Sequence, residues 1–143
     1  MLAVIDTNIF VPAIAGHEDE ARFYNAAINK CWKFAFSETL MDEYRRVINE
    51  YGYQSLVIIH EINKLYAMNK YRSCDAKLDL VADDLAPPDD RHLVVVCKVI
   101  GATLLITKDG GLHERKERIL HETGANVVDL LEAERILGEY RRP

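Results

Sequence analysis

Two short apolar runs in the chain each lead into an aspartate. Asp6 directly follows residues 2–5, and Asp109 follows residues 103–106 after two intervening residues. Each run is too short for a helix of its own and is typical of a buried strand. Because the carboxyl ends of parallel strands lie at one edge of a sheet, where ligands bind in open α/β folds, we expect Asp6 and Asp109 to lie close together there. The competing interpretation is that Asp6 only starts a turn and caps the next helix.

A third acid, Asp90, lies near the start of a predicted helix. Residues 89–100 contain three consecutive valines, which favour a strand, but Pro88 before them and Gly101 after them favour a buried helix. The dipole of that helix favours the ionised form of Asp90 in the first turn, while the neighbouring Asp89 is expected to cap the helix. Asp90 therefore belongs to the same predicted edge.

A fourth acid, Glu43, is selected from three acids in the helix predicted from Ser37 to about Tyr51. At about 100° per residue, Glu43 falls near the edge of the apolar stripe, whereas Glu38 and Asp42 point well away from it. Glu43 can therefore face the acidic edge while its helix packs on the sheet. The other two acids are expected to be solvated surface charges.

Four carboxylates that converge without lysine partners would raise one another's pKa values unless a cation neutralises them. Mg²⁺ and Mn²⁺ prefer oxygen ligands and keep several waters, one of which can attack a phosphate. The predicted chemistry is the hydrolysis of phosphodiester bonds. The five histidines are scattered and are interpreted as non-ligands. His92 follows Asp90 closely but is expected to face another side of the helix.

Strands and helices alternate along the chain to position these acids. Further strands are predicted at residues 33–36 and 126–128, and helices at residues 18–32, at residues 55–69 and from about residue 130. The acidic stretch from residue 77 to residue 88 ends in two prolines and predicts a strand fragment followed by a loop. This alternation predicts a parallel sheet that is flanked by helices.

Length and composition indicate a single domain over residues 1–143. The net charge of −5 argues against a protein that coats nucleic acid through bulk positive charge, although an acidic pocket filled by divalent cations would itself contribute to it. No apolar run could span a membrane and no secretory signal is apparent, so a cytoplasmic protein is expected. The three cysteines, Cys31, Cys74 and Cys97, suggest neither a disulfide framework nor a zinc site.

Four segments of the chain, taken in order, resemble the motifs of the PIN-domain family. They run from Val4 to Phe10, from Ser37 to Val47 around Glu43, from Pro88 to Leu93, and from Leu105 to Asp109. The chain is similar to a subgroup described as toxin components of toxin-antitoxin systems, in which Arg-His and an apolar helix follow the third acid. The resemblance implies an α/β fold with three layers, α/β/α, around a central parallel sheet. It also implies a ribonuclease that depends on Mg²⁺ or Mn²⁺.

The resemblance further implies roles for individual residues. Four acids would bind metal directly or through water: Asp6, Glu43, Asp90 and Asp109. Asn8 and Thr107 would orient the first and last of these acids, and Arg91 and Lys108 are candidate contacts to RNA. A metal-bound water would be the nucleophile and would leave a 5′-phosphate and a 3′-hydroxyl. A homodimer and an antitoxin protein partner are also implied.

Other readings of the acidic edge stay open. A haloacid-dehalogenase-like phosphatase also begins with an aspartate after the first strand, but it needs a second aspartate where this chain has Asn8. A response-regulator receiver domain should carry its lysine on a later strand than its Thr or Ser, whereas Thr107 and Lys108 are adjacent. A catalytically inactive RNA-binding or partner-binding module, or RNA processing without an antitoxin, would fit the same residues.

Overall fold

Five parallel strands form the central sheet in a computed structural model that describes residues 1–138. The strands are β1 (Leu2–Ile5), β2 (Lys33–Ser37), β3 (Tyr71–Cys74), β4 (Leu104–Ile106) and β5 (Asn126–Val128). Their order across the sheet is β3-β2-β1-β4-β5. Every neighbouring pair is parallel, with Ile5 opposite Ile106 at the carboxyl ends of β1 and β4. The predicted parallel sheet is confirmed, and its two central strands are those that lead into Asp6 and Asp109.

Two layers of helices enclose this sheet. Within residues 1–138 they are α1 (Thr7–Ile14), α2 (Glu18–Asn29), α3 (Glu38–Glu50), α4 (Leu56–Ala67), α5 (Arg91–Ile100), α6 (Gly110–Glu114), α7 (Lys116–Thr123) and α8 (Leu130–Leu137). The connections from β1 to β2 to β3 step toward one edge, and those from β3 to β4 to β5 step the other way. Because such crossovers are right-handed, α1 to α4 cover one face and α5 to α7 cover the other. The result is the three-layer α/β/α fold expected from the sequence.

The helix α5 lies at the centre of one layer and packs against four strands, β1 to β4. Residues 92–97 of this helix are all buried. A helix that is apolar on nearly all sides is stable only when it is covered on nearly all sides, which explains the strand-like run of valines. The helix ends at Gly101, whose φ of 76° is a left-handed conformation that glycine adopts without strain.

One strand and three helices differ from the sequence-based expectation. The prediction of a strand within residues 77–88 is wrong. The third strand, β3, lies earlier, at Tyr71–Cys74, and residues 78–80 form a 3-10 turn. As an edge strand, β3 is only partly buried and lacks the apolar run that marked the other strands. The helices α1, α6 and α7 are absent from the sequence-based prediction; α1 contains Pro12, which disfavours a helix, and α6 has only five residues.

In the part of the chain that the structure describes, no helix combines the length and the apolar character that crossing a bilayer requires.

Candidate functional site

A cleft of about 380 Å³ opens at the carboxyl edge of β1 and β4. The structure brings all four acids selected from the sequence into its lining: Asp6, Glu43, Asp90 and Asp109. Thr7 and Asn8, at the start of α1, line the same cleft. Glu38 and Asp42 are exposed on α3 and lie outside this lining, as their helical positions predicted.

Asp6 is the most deeply placed of the four acids, with 4% of its surface exposed. Its Oδ1 accepts a hydrogen bond from the Thr7 backbone N–H at 2.7 Å, and this bond caps α1. Its Oδ2 accepts from the Thr107 hydroxyl at 2.6 Å and makes a longer contact of 3.4 Å with the Asn8 amide. Burial raises the pKa of Asp6, while the bonds from Thr107 and Thr7 oppose the rise. The Asp6 side chain therefore both caps α1 and lines the cleft.

Thr107 connects Asp6 to Asp109. Its hydroxyl is fully buried, donates to Asp6 and accepts from the Asp109 backbone N–H at 3.0 Å. Asp109 in turn caps α6, where its Oδ2 accepts from the Leu112 N–H at 2.9 Å. One threonine thus fixes the ends of both central strands relative to each other.

Asp90 ends a 3-10 turn at Pro88–Asp90 that leads into α5, and its side chain makes no capping bond to that helix. The pKa of Asp90 is raised to about 7, first by burial, then by the charges of Asp6 and Asp109. A hydrogen bond with Asp109 and the charge of Glu43 add to the rise. The expectation that Asp89 caps the helix is wrong, because the 3-10 turn places Asp90 at the cap position.

Glu43 reaches the cleft from α3 and is held by two neighbours. The Thr7 hydroxyl donates a short hydrogen bond to its Oε1, and His92 Nε2 lies 3.5 Å from its Oε2. His92 is the main reason that the pKa of Glu43 is lowered, against the opposing effect of burial. Nothing in the sequence indicates this hydrogen bond from Thr7, apart from the position of Thr7 directly after Asp6.

His92 does not line the acidic cleft, but its ring lies beside Glu43, one of the acids that do. His92 is 5% exposed, and neither ring nitrogen has a hydrogen-bond partner among residues 1–138. Its imidazole is thus buried with only the long contact to Glu43.

The two cations proposed for RNA contact are both engaged elsewhere. Lys108 Nζ lies 2.7 Å from Glu20 Oε2 on α2, and Arg91 Nη2 donates to Asp83 Oδ1 at 2.7 Å. Neither lines the cleft. The backbone N–H of Lys108 donates to Asn8 Oδ1 at 3.2 Å, so Asn8 links α1 to the segment after β4.

The donor set fits a hydrated divalent cation. No three His, Cys, Asp or Glu side chains within residues 1–138 already lie close enough together to hold an ion by themselves. Mg²⁺, however, is commonly held by one or two carboxylates and retains several waters, so this cleft does not need a closed cage. The lining contains five acids and, over the described residues, one cation, Arg46, so the protein leaves negative charge here uncompensated and the pKa of Asp90 is raised. The residues therefore suit Mg²⁺ or Mn²⁺ better than a softer metal.

Comparison with known proteins adds one match. A family model described as PIN domain matches residues 3–110, which is more than half of the chain and includes all four acids of the cleft. No curated protein matches the chain.

Proposed function

The chain belongs to the PIN-domain family, whose members are generally nucleases, and on this basis we propose that it hydrolyses RNA phosphodiester bonds with Mg²⁺ or Mn²⁺. The observation that carries the proposal is the convergence of four carboxylates in one cleft, those of Asp6, Glu43, Asp90 and Asp109; burial and these neighbours raise the pKa of Asp90. A structural acid would gain from a lysine or arginine partner, whereas this group is kept among other acids. Such an arrangement is typical of a site that functions with a bound cation.

Four residues would hold the cation: Asp6, Glu43, Asp90 and Asp109. When bound, a divalent cation supplies an activated water and stabilises the charge that develops on the phosphate. The acids differ in how firmly hydrogen bonds hold their side chains before a cation binds. Asp6 and Asp109 are fixed by Thr107 and by their capping bonds, while Asp90 carries no cap.

Asp90 is the group that would exchange a proton for the cation. With a pKa of about 7, it is partly protonated at neutral pH and must lose that proton to become a ligand. Glu43 is ionised under the same conditions, because His92 and Thr7 lower its pKa. The site therefore combines Glu43, which is already charged, with Asp90, which becomes charged on loading.

The biological role that we propose is that of a toxin in a toxin-antitoxin pair. The order of the four motifs, including Arg91 and His92 after the third acid, supports this assignment through the resemblance described above. In this proposal residues 1–143 form one nuclease unit that pairs as a homodimer. It would act on RNA in the cytoplasm until a separate antitoxin protein blocks it.

A cleavage assay tests the proposed hydrolysis. Purified wild type and Asp6→Asn are incubated with a mixed pool of structured RNA in Mg²⁺, in Mn²⁺ and in chelator. Asn retains helix-capping ability but carries no charge, so we expect the fold to persist and cleavage to be lost. Asp42→Asn is the matched control, because Asp42 is exposed on α3 and pairs with Arg45 outside the cleft. Equal cleavage by wild type and Asp6→Asn would contradict the proposal.

A further inference from the structure

One stripe of α3 extends the acidic cleft beyond Glu43. Arg46, Val47 and Glu50 follow Glu43 at helical spacing and line the same cleft. Tyr51, at the C-cap of α3, ends the stripe and also lines the cleft. Its position lies eight residues after Glu43, about 12 Å farther along the helix axis. The cleft therefore has an acidic end and an aromatic end.

Tyr51 is both accessible and held in place. It is 37% exposed, a large fraction for an aromatic residue in a cleft. Its ring meets the His17 ring edge to face, with centroids 5.2 Å apart. Close by in sequence, the Tyr53 hydroxyl donates to the Ala15 carbonyl oxygen at 3.3 Å, which ties the end of α3 to the end of α1. A ring supported in this way loses little conformational entropy when a ligand stacks on it.

The charge of the cleft limits how it can bind nucleic acid. Arg46 is the one cation in its lining over the described residues, and it lies 4.0 Å from Glu50. Against it stand five acids in the same lining: Asp6, Glu43, Glu50, Asp90 and Asp109. Phosphates beyond the cation site therefore find little positive charge. Stacking of a base on an aromatic ring adds affinity without requiring such charge.

We propose that Tyr51 forms a stacking subsite for an unpaired base on the second nucleotide from the phosphate that is cleaved, and that Arg46 contacts the phosphate between them. The inference rests on the proposed nuclease function, since the acidic end positions the scissile phosphate. A base within a duplex already stacks on its neighbours and pairs with its partner. The nucleotide at this subsite must therefore be unpaired or be turned out of a helix.

Binding of a defined RNA tests the subsite without relying on turnover. The probe is a short single-stranded RNA with a fluorescein at one end, and anisotropy is measured in Ca²⁺ while the RNA stays intact. We expect Tyr51→Ala to weaken binding about tenfold or more, and to the same factor at low and high salt, because stacking releases no counterions. Tyr51→Phe keeps the ring and should bind as wild type does. Tyr66→Ala is the control, since Tyr66 is 71% exposed on α4 and packs against Tyr71 outside this cleft.

A second arm changes only the RNA and compares the substrates on each protein separately, wild type and Tyr51→Ala. Single abasic sites are placed at successive positions on either side of a mapped cleavage site. We expect binding to fall at one position, the second nucleotide on one side of that site, and we expect Tyr51→Ala to be insensitive to the same abasic site. Because this arm compares substrates on one folded protein, instability of a variant cannot produce the effect.

The outcomes separate this inference from the proposed function. RNA bound through Tyr51 but never cleaved would overturn the hydrolysis and leave the subsite standing. Cleavage and binding that are unchanged in Tyr51→Ala, with every abasic position tolerated, would overturn the subsite and leave the hydrolysis standing. Absence of binding to the single-stranded probe by wild type would also overturn the subsite.

Discussion

Asp90 makes the stability of the metal-free protein depend on pH. Its pKa is about 7 in the folded protein, against about 3.9 for an unfolded aspartate. Between these values the folded state binds more protons than the unfolded state, so stability falls as pH rises toward and through 7. The loss of stability caused by ionising Asp90 is complete only above the folded pKa of about 7. There is no such loss below the unfolded pKa of about 3.9.

Replacing Asp90 with Asn removes the ionisable group and with it this loss of stability. We expect Asp90→Asn to stabilise the metal-free protein by about 1 kcal/mol at pH 8, after allowance for partial exposure, and by less at pH 5. Thermal unfolding in chelator at the two pH values measures the difference. A stabilisation that is the same at both pH values would show that the Asp90 charge is not its cause.

The contacts of Glu43 show how much of the site can be predicted from sequence. Its place followed from the angle between residues on a regular helix, and the places of Asp6 and Asp109 followed from apolar runs that end abruptly. The contact of His92 with Glu43 could not be predicted in this way, because it depends on how α5 and α3 pack against each other. The bond from Thr7 likewise depends on how α1 and α3 pack against each other.

Among the secondary-structure elements, the short helix α6 depends on the absence of a side chain at Gly111. A Cβ there would lie 2.7 Å from Pro87 Cγ and 3.1 Å from Asp109 Oδ2. The segment before Asp90 therefore touches the helix that Asp109 caps. This contact holds the segment before Asp90 against α6, the helix that Asp109 caps. A methyl group at Gly111 would push these two segments apart.

Gly111→Ala and Gly110→Ala form a matched pair that tests this contact. We expect Gly111→Ala to destabilise the protein by about 1–3 kcal/mol and to lower nuclease activity, because the Pro87 ring cannot move aside without moving its backbone. A Cβ at Gly110 would meet nothing within 4 Å, so Gly110→Ala should be neutral or slightly stabilising. Urea unfolding of both variants measures the effect. Equal stability of the two would contradict it.

The strands of the sheet differ in how well they can be predicted from the sequence. Buried strands such as β1 and β4 have continuous apolar runs because both of their faces are covered. The edge strand β3 has the sequence Tyr-Arg-Ser-Cys and owes its place to pairing with β2. That pairing is a property of the folded sheet and leaves no local pattern.

The molecule as a whole carries a net charge of −5, and its cleft concentrates acids at one edge of the sheet. Bulk positive charge is therefore not what would bring RNA to this protein. A divalent cation held by these acids would reverse the local charge of the cleft and so allow a phosphate to approach. We therefore propose that the four acids form one cation site.

Calorimetric titration with Mn²⁺ tests that claim most directly. The proteins compared are wild type, Asp90→Asn and Asp89→Asn, because Asp89 is the exposed neighbour of Asp90 and does not line the cleft. We expect wild type and Asp89→Asn to bind Mn²⁺ more tightly as pH rises from 6 to 8, values on either side of the pKa of about 7. We expect Asp90→Asn to bind about tenfold or more weakly and to lose most of this pH dependence. Unchanged binding in Asp90→Asn, or an equal loss in Asp89→Asn, would contradict the assignment of the site.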